Sequence, residues 1–164
     1  MRSKTASIAL AGFALVTASS FQMPTYVVWN VSESMPRGLY WIDHRPALRG
    51  DIAVVRLPEA IAEFAARRDY LPKAAVLIKQ VAAMGGDRVC RFGTNVFTNA
   101  HRRASAQIHD YAGRLMPIWS GCQLLKSHEV FLLGLRPGSF DSRYFGSINA
   151  SRIVGRATIL WSTD

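Results

Sequence analysis

The sequence holds two cysteines, Cys90 and Cys122, among 164 residues. Neither sits in a CxxC pair or a His/Cys cluster, so no metal site is expected. Acidic residues are also sparse: 11 Asp and Glu against 20 Lys and Arg give a formal charge of +9. Such an excess invites a nucleic-acid partner, yet the basic residues are scattered, gathered only at Arg67-Arg68 and His101-Arg102-Arg103, and no helix carries a basic stripe. Nucleic acid is therefore not an expected partner, and the charge reads as a basic surface that keeps the domain soluble or near anionic lipid. Internal repeats and low-complexity tracts are missing too. With 49% apolar residues the chain is long enough for one domain with a real core and too short for two.

An unaided membrane span is also lacking. Arg2 and Lys4 precede an apolar segment from Ala6 to Ala18, the charge-then-apolar order of a secretory signal or signal anchor. At about 1.5 Å per residue this run falls short of the roughly 30 Å hydrocarbon core unless Ser19 to Met23 join it. Val16-Thr17-Ala18 offers small residues where a processing enzyme could cut, whereas Tyr26 and Trp29 suit a membrane-water interface. Residues 1–23 are accordingly a signal peptide or a signal anchor, formed as an apolar helix, and residues 24–164 the domain it exports. The catalytic part is expected on the outer side of the cytoplasmic membrane, tethered there or periplasmic if the segment is removed. A buried helix of the domain is the plainer alternative. In an exported domain Cys90 and Cys122 are candidates for one disulfide; in a reduced compartment they are two small apolar residues.

Beyond residue 23 the chain consists mostly of short strands punctuated by Gly and Pro. Residues 38–42 and 51–57 read as strands, the second stopping at Pro58. From Glu59 to Tyr70, Ile61, Phe64 and Ala65 recur at helical spacing, which predicts one short surface helix closed by Pro72. Strand character returns over 73–83, after which Gly85-Gly86-Asp87 turns into strands at 88–91 and 95–99. The polar stretch 100–113 reads as a loop. Core strands are expected at 129–134 and 153–161, with a tight segment 137–146 between them, so the fold is mainly β.

Three islands could carry chemistry. Lys79 lies inside the apolar run Val76-Leu77-Ile78-Lys79-Gln80-Val81, and burial there would lower its pKa enough to make it a general base. It could equally snorkel from an edge strand. Ser34, in Ser32-Glu33-Ser34-Met35-Pro36, sits where Pro36 favours an extended Met35 and an exposed serine; the plain reading is a turn residue, the functional one a nucleophile. Ser32 could point to the same side and join the Ser34 amide as an oxyanion donor. In Ser139-Phe140-Asp141-Ser142-Arg143-Tyr144-Phe145-Gly146, Ser139 could orient the Lys79 amine, while Asp141 and Arg143 suit charge-assisted hydrogen bonds that hold a loop. His44, His101, His109 and His128 fall in no nucleophile motif and read as surface residues.

Taken in order, Ser32 to Pro36, then Ile78-Lys79-Gln80-Val81 leading to Gly86-Asp87, then Ser139 to Gly146 followed by Gly155-Arg156-Ala157, resemble the successive signature boxes of type I signal peptidases. The short chain and the segment from Gly113 to Cys122 are most similar to the conjugative transfer peptidases of TraF type. One departure is that Gly134-Leu135-Arg136 stands where leader peptidases usually carry Gly-Asp-Asn. The resemblance implies coiled β-sheets with a small barrel, Ser34 as nucleophile, Lys79 as base, Ser32 as oxyanion donor, and Ser139, Asp141 and Arg143 in support. It implies no cofactor, and a membrane-associated endopeptidase acting on an exported pre-protein, a pilin precursor, with cleavage or cyclisation. The rival from another class is a non-catalytic basic component of a transfer apparatus that binds DNA or a partner.

Overall fold

The computed structural model describes residues 26–163, so the segment 1–23 and its expected helix lie outside the described residues. Two antiparallel sheets make up the domain. The larger has seven strands: β1 (Val27–Asn30), β2 (Gly38–Asp43), β3 (Ile52–Arg56), β4 (Val76–Met84), β9 (Glu129–Leu133), β10 (Ile148–Asn149) and β11 (Ile153–Ser162). Their spatial order is β1-β2-β11-β3-β4-β9-β10. The smaller sheet joins β5 (Arg88–Phe92), β6 (Asn95–Thr98), β7 (His101–Ser105) and β8 (Gly121–Leu124) in the order β7-β6-β5-β8. The fold is mainly β, as the sequence leads one to expect.

Register shifts curl the large sheet into a half-barrel. They fall between Ile159 and Trp161, between Ile153 and Gly155 on β11, and between Val81 and Ala83 on β4. Each inserts a residue on one strand and bends it. β4 is buried along most of its length because it is covered on both faces, which is why its sequence is nearly continuously apolar. One face joins the core of Ala53, Val55, Val81, Val130 and Leu132; where β4 passes toward the small sheet, Ala82, Ala83, Val89, Val96 and Phe131 form the junction.

Helix α1 spans Glu59–Arg67 and ends before the expected Tyr70, because Asp69 adopts a left-handed φ of 57°. Glu59 in the first turn and Arg67 in the last suit the helix dipole. A second, single-turn helix, α2 (Ser142–Phe145), occupies the tight segment; Asp141 caps it by accepting from the Arg143 amide.

Four strands differ from the sequence expectation: β1, β7, β8 and the two-residue β10. β7 lies inside the stretch 100–113 expected to be a loop. Its outward side chains are polar because it is an edge strand, and edges carry charge to discourage further pairing. Thr98 pairs with His101 across the turn Asn99-Ala100, whose φ values of 47° and 68° suit a tight hairpin. β1 and β8 are each four residues long, too short for alternation to announce them. On β5 and β8, Cys90 and Cys122 stand directly opposite and form a disulfide. No helix among the described residues is long and apolar enough to cross a membrane.

Candidate active site

β1 ends at Asn30, β2 begins at Gly38, and residues 31–37 form the turn between them. Gly38 has a φ of 144°, and a β-carbon there would lie 1.9 Å from the Trp161 carbonyl oxygen, so only glycine lets β11 close under this turn. Met35 is buried with Tyr40, Ile42, Val54, Ile78 and Ala157 and anchors the turn in the core. Tyr40 adds a hydrogen bond of 2.7 Å from its hydroxyl to the Pro36 carbonyl. With Met35 turned inward, Ser32 is exposed and Ser34 half-buried on the outer side. Their hydroxyl oxygens stand 2.9 Å apart.

Lys79 comes from the middle of β4, opposite Ala53 of β3, and only 2% of it reaches solvent. Its amine donates to Ser34 Oγ at 2.6 Å and to the Ile78 carbonyl at 3.1 Å. It forms no ion pair among the described residues. Burial lowers its pKa from 10.5 to about 8; nearby Asp141 opposes that change and Arg143 reinforces it. An amine with that pKa is neutral in about a tenth of molecules at pH 7, against a few in ten thousand for an ordinary lysine. The arrangement thus brings a basic amine to a hydroxyl, which is what proton abstraction from serine requires.

Beneath this pair lies a buried ion pair. Arg143 donates from Nε to Asp141 Oδ1 at 2.8 Å and from Nη2 to Oδ2 at 3.0 Å, the two-pronged geometry that best satisfies a carboxylate. The remaining guanidinium hydrogens reach the carbonyls of Ser105, Pro137 and Gly134. Asp141 in turn accepts from the Gly134 amide at 2.7 Å. Both peptide groups of Gly134 are therefore held by the ion pair, and the next amide, Leu135 N, donates to the Ser34 carbonyl at 2.8 Å. A chain of contacts runs from the buried charges to the serine turn.

Ser139 joins this group differently from the expectation. Its hydroxyl is buried and makes no hydrogen bond among the described residues, to Lys79 or to any other group. What it meets is Gly134: a β-carbon on that glycine would lie 2.2 Å from Ser139 Oγ and 3.0 Å from the Ser34 carbonyl oxygen. Close packing of these three residues excludes any side chain at position 134. The four histidines are all exposed, and none bonds to Ser34.

Ser32, Ser34, Lys79, Ser139, Asp141 and Arg143 are thus drawn from three distant parts of the chain into one contact network, while the Cys90–Cys122 disulfide belongs to the small sheet. Sequence reasoning missed Asn30, and it noted Gly134 and Leu135 only as a departure from the family pattern, without a role. Asn30 Nδ2 reaches the carbonyls of Ser32, Met35 and Pro36, and its Oδ1 accepts from Ser32. A signal for it existed: Asn at a strand end bonds readily to backbone two residues on, and Ser32 is at that spacing.

Residues 2–162 match the family described as signal peptidase, peptidase S26. A probable conjugal transfer protein TraF from Sinorhizobium fredii (strain NBRC 101917 / NGR234) is 37% identical over 139 residues, covering 78% of this chain and 73% of the relative. A plasmid transfer protein TraF from Escherichia coli is 32% identical over 171 residues and covers 95% of each chain. A crystal structure of a signal peptidase I from Enterococcus faecalis V583 superposes with a TM-score of 0.42 at 18% identity, over 71% of this chain and 100% of that one.

Proposed function

We propose a serine endopeptidase mechanism built on Ser34 and Lys79 for this chain, which belongs to the signal peptidase family, peptidase S26. The observation that carries the reading is the 2.6 Å approach of a buried lysine amine, which makes no ion pair among the described residues, to a serine hydroxyl. Ser34 Oγ attacks the scissile carbonyl as its proton passes to neutral Lys79 Nζ. The Ser32 hydroxyl and the Ser34 amide donate to the oxyanion. Lys79 then returns the proton to the leaving amine, and an acyl-enzyme on Ser34 remains. Water resolves it by hydrolysis; an amine from the same substrate resolves it by closing a ring. Asp141 and Arg143 support the site through Gly134, and Ser139 packs on the same glycine. The mechanism draws on groups of the chain itself and calls for no cofactor.

The substrate proposed is an exported precursor, and, by resemblance to transfer peptidases of TraF type, a pilin precursor. The names of the relatives, conjugal and plasmid transfer proteins, support a place in conjugation. We assign residues 24–164 to the peptidase domain and 1–23 to a signal anchor or signal peptide, with the domain on the outer face of the cytoplasmic membrane. Half-exposed aromatic residues support a position at lipid: Tyr26 stacks on Trp41, and Trp29 contacts Trp161 on the same edge of the large sheet.

Mass analysis of a co-expressed pilin precursor tests the reading. Wild type is expected to yield a shortened chain, or a ring lighter than that chain by one water. Ser34→Ala and Lys79→Ala are each expected to leave the precursor intact while still folding. Unaltered processing by either variant would overturn the proposal.

A further inference from the structure

Asn30, the last residue of β1, is 7% exposed and plays no part in the mechanism above. Its side chain nevertheless makes more contacts with the serine turn than any catalytic candidate does. Its two amide hydrogens face three carbonyl oxygens, those of Ser32, Met35 and Pro36, at 3.0, 3.1 and 2.9 Å. On the other side, Oδ1 accepts from the Ser32 amide at 3.1 Å and from the Ser32 hydroxyl at 3.2 Å. One buried amide therefore closes the turn and also fixes the orientation of a hydroxyl that stands 2.9 Å from Ser34 Oγ.

Building on the Ser34–Lys79 reading, we propose that Asn30 is the positioning residue that holds Ser32, and with it the Ser32 hydroxyl oxygen, in place to serve as an oxyanion donor. Ser32 has one hydroxyl hydrogen. At rest Asn30 Oδ1 takes it, which leaves the Ser32 oxygen free to accept from Ser34. When the Ser34 proton passes to neutral Lys79, making an ammonium, and Ser34 Oγ bonds to the substrate carbonyl carbon, that acceptor role ends. The Ser32 hydrogen then turns from Asn30 to the carbonyl oxygen that has gained the electron pair. Because Oδ1 keeps the Ser32 amide, the backbone stays fixed and only the side-chain torsion changes. Preorganisation of this kind raises the rate because the donor need not be gathered at the moment of reaction.

The test uses full-length protein in detergent micelles and a fluorogenic peptide with alanine before the scissile bond. Asn30→Leu is expected to lower kcat about tenfold or more with KM within about twofold, the pattern of an interaction made in the transition state. In a Ser32→Ala background the same change is expected to lower kcat less than about threefold, because the hydroxyl it would misplace is gone. The rising limb of the pH profile, set by Lys79 near 8, is expected to stay in place. Simple loosening of the turn would instead admit water to Lys79 and move that limb toward 10.5. A wild-type kcat, an equal fall in both backgrounds, or a displaced limb each overturns the inference. Should Asn30→Leu not fold, Asn30→Asp replaces it: a carboxylate would withhold the Ser32 hydrogen more strongly, so kcat is again expected to fall with Ser32 present and not in Ser32→Ala, and an equal fall in both overturns it. Ser34→Ala is the reference. Activity in that variant would refute the dyad reading itself, whereas an inert Ser34→Ala beside a fully active Asn30→Leu refutes this inference alone.

Discussion

The two sheets treat charge in opposite ways. In the large sheet and the segment packed on it, Lys79, Asp141 and Arg143 are each at most 2% exposed. In the small sheet the charges of β7 face solvent, and its outer strand β8 is tied to β5 by a disulfide. Arg91 is where the two meet: it rises from β5, is buried, and donates to the carbonyls of Pro117 and Arg143. A buried ion is tolerated where its hydrogen bonds are complete, as for Arg143 with one carboxylate and three carbonyls. Lys79 has no carboxylate of its own and responds by losing affinity for its proton. The region proposed to do chemistry thus keeps a buried lysine at a cost, whereas the outlying sheet relies on a covalent link and a tight hairpin.

Breaking the ion pair should have the largest effect. Asp141→Ala leaves an uncompensated guanidinium in the interior and frees the Gly134 amide, while the Gly134 carbonyl keeps its bond from Arg143. A loss of about 3–5 kcal/mol in denaturant unfolding is expected. The double change Asp141→Leu with Arg143→Met should recover much of that stability without recovering activity. If the single variant lost under about 1 kcal/mol, the pair would be no buried support.

The matching break in the small sheet is Cys90→Ala with Cys122→Ala. With a sequence separation of 32, the closed loop is worth about 3–4 kcal/mol in the chain-entropy account. Processing per folded molecule is expected to stay at the wild-type level, since neither cysteine bonds to the serine turn or to the 134–143 segment. A processing defect beyond the loss of folded protein would show that the sheets are coupled through Arg91.

The same contrast explains what could be read from the sequence. Strands β3, β4 and β9 were legible because burial in the large sheet demands apolar runs, β11 because its apolar and β-branched residues read as a strand although its second half is exposed, and helix α1 because Ile61 and Ala65 keep a helical period. Against such runs Lys79 stands out inside β4, and the Ser-Phe-Asp-Ser-Arg string stands out between β9 and β10. β7 was not legible, because an edge strand with polar side chains leaves no hydrophobic trace. Asn30 left only the faint signal of its two-residue spacing to Ser32, because most of its bonds go to backbone atoms that every residue possesses. The departure at Gly134-Leu135-Arg136 became intelligible only in space: the glycine is required by Ser139, and the leucine contributes its amide.

Removing the charge itself sharpens the comparison. The folded pKa of Lys79 is about 8 against 10.5 for the free side chain, so the unfolded chain binds the proton more tightly. Stability should therefore rise with pH between about 8 and 10.5, and below 8 the full penalty, about 3 kcal/mol, is present. Lys79→Met is expected to be inactive yet more stable at pH 7 by up to about that amount, with the gain vanishing above pH 10.5. Paired unfolding curves at pH 7 and pH 10 would check this. A gain that did not shrink at high pH would mean the lysine is not held against its charge.

The smallest expected effect lies in the small sheet, at the hairpin from β6 to β7. Asn99 fits its left-handed φ of 47° and is secured by donating to Asp87 Oδ1 at 2.7 Å and accepting from the Arg88 amide at 2.9 Å. Ala100, at 68°, has a β-carbon in a conformation that disfavours one and no side-chain bond to offset it. Ala100→Gly would supply the Asn-Gly pair that such turns prefer. Glycine also enlarges the unfolded ensemble, so the net gain should be up to about 1 kcal/mol, read as a rise in Tm with unchanged processing. The converse change on the large sheet, Gly38→Ala, meets the Trp161 carbonyl at 1.9 Å and should destabilise the serine turn and processing together. If Ala100→Gly also altered processing, the two hairpins would not be independent, and the division of labour between the sheets would fail.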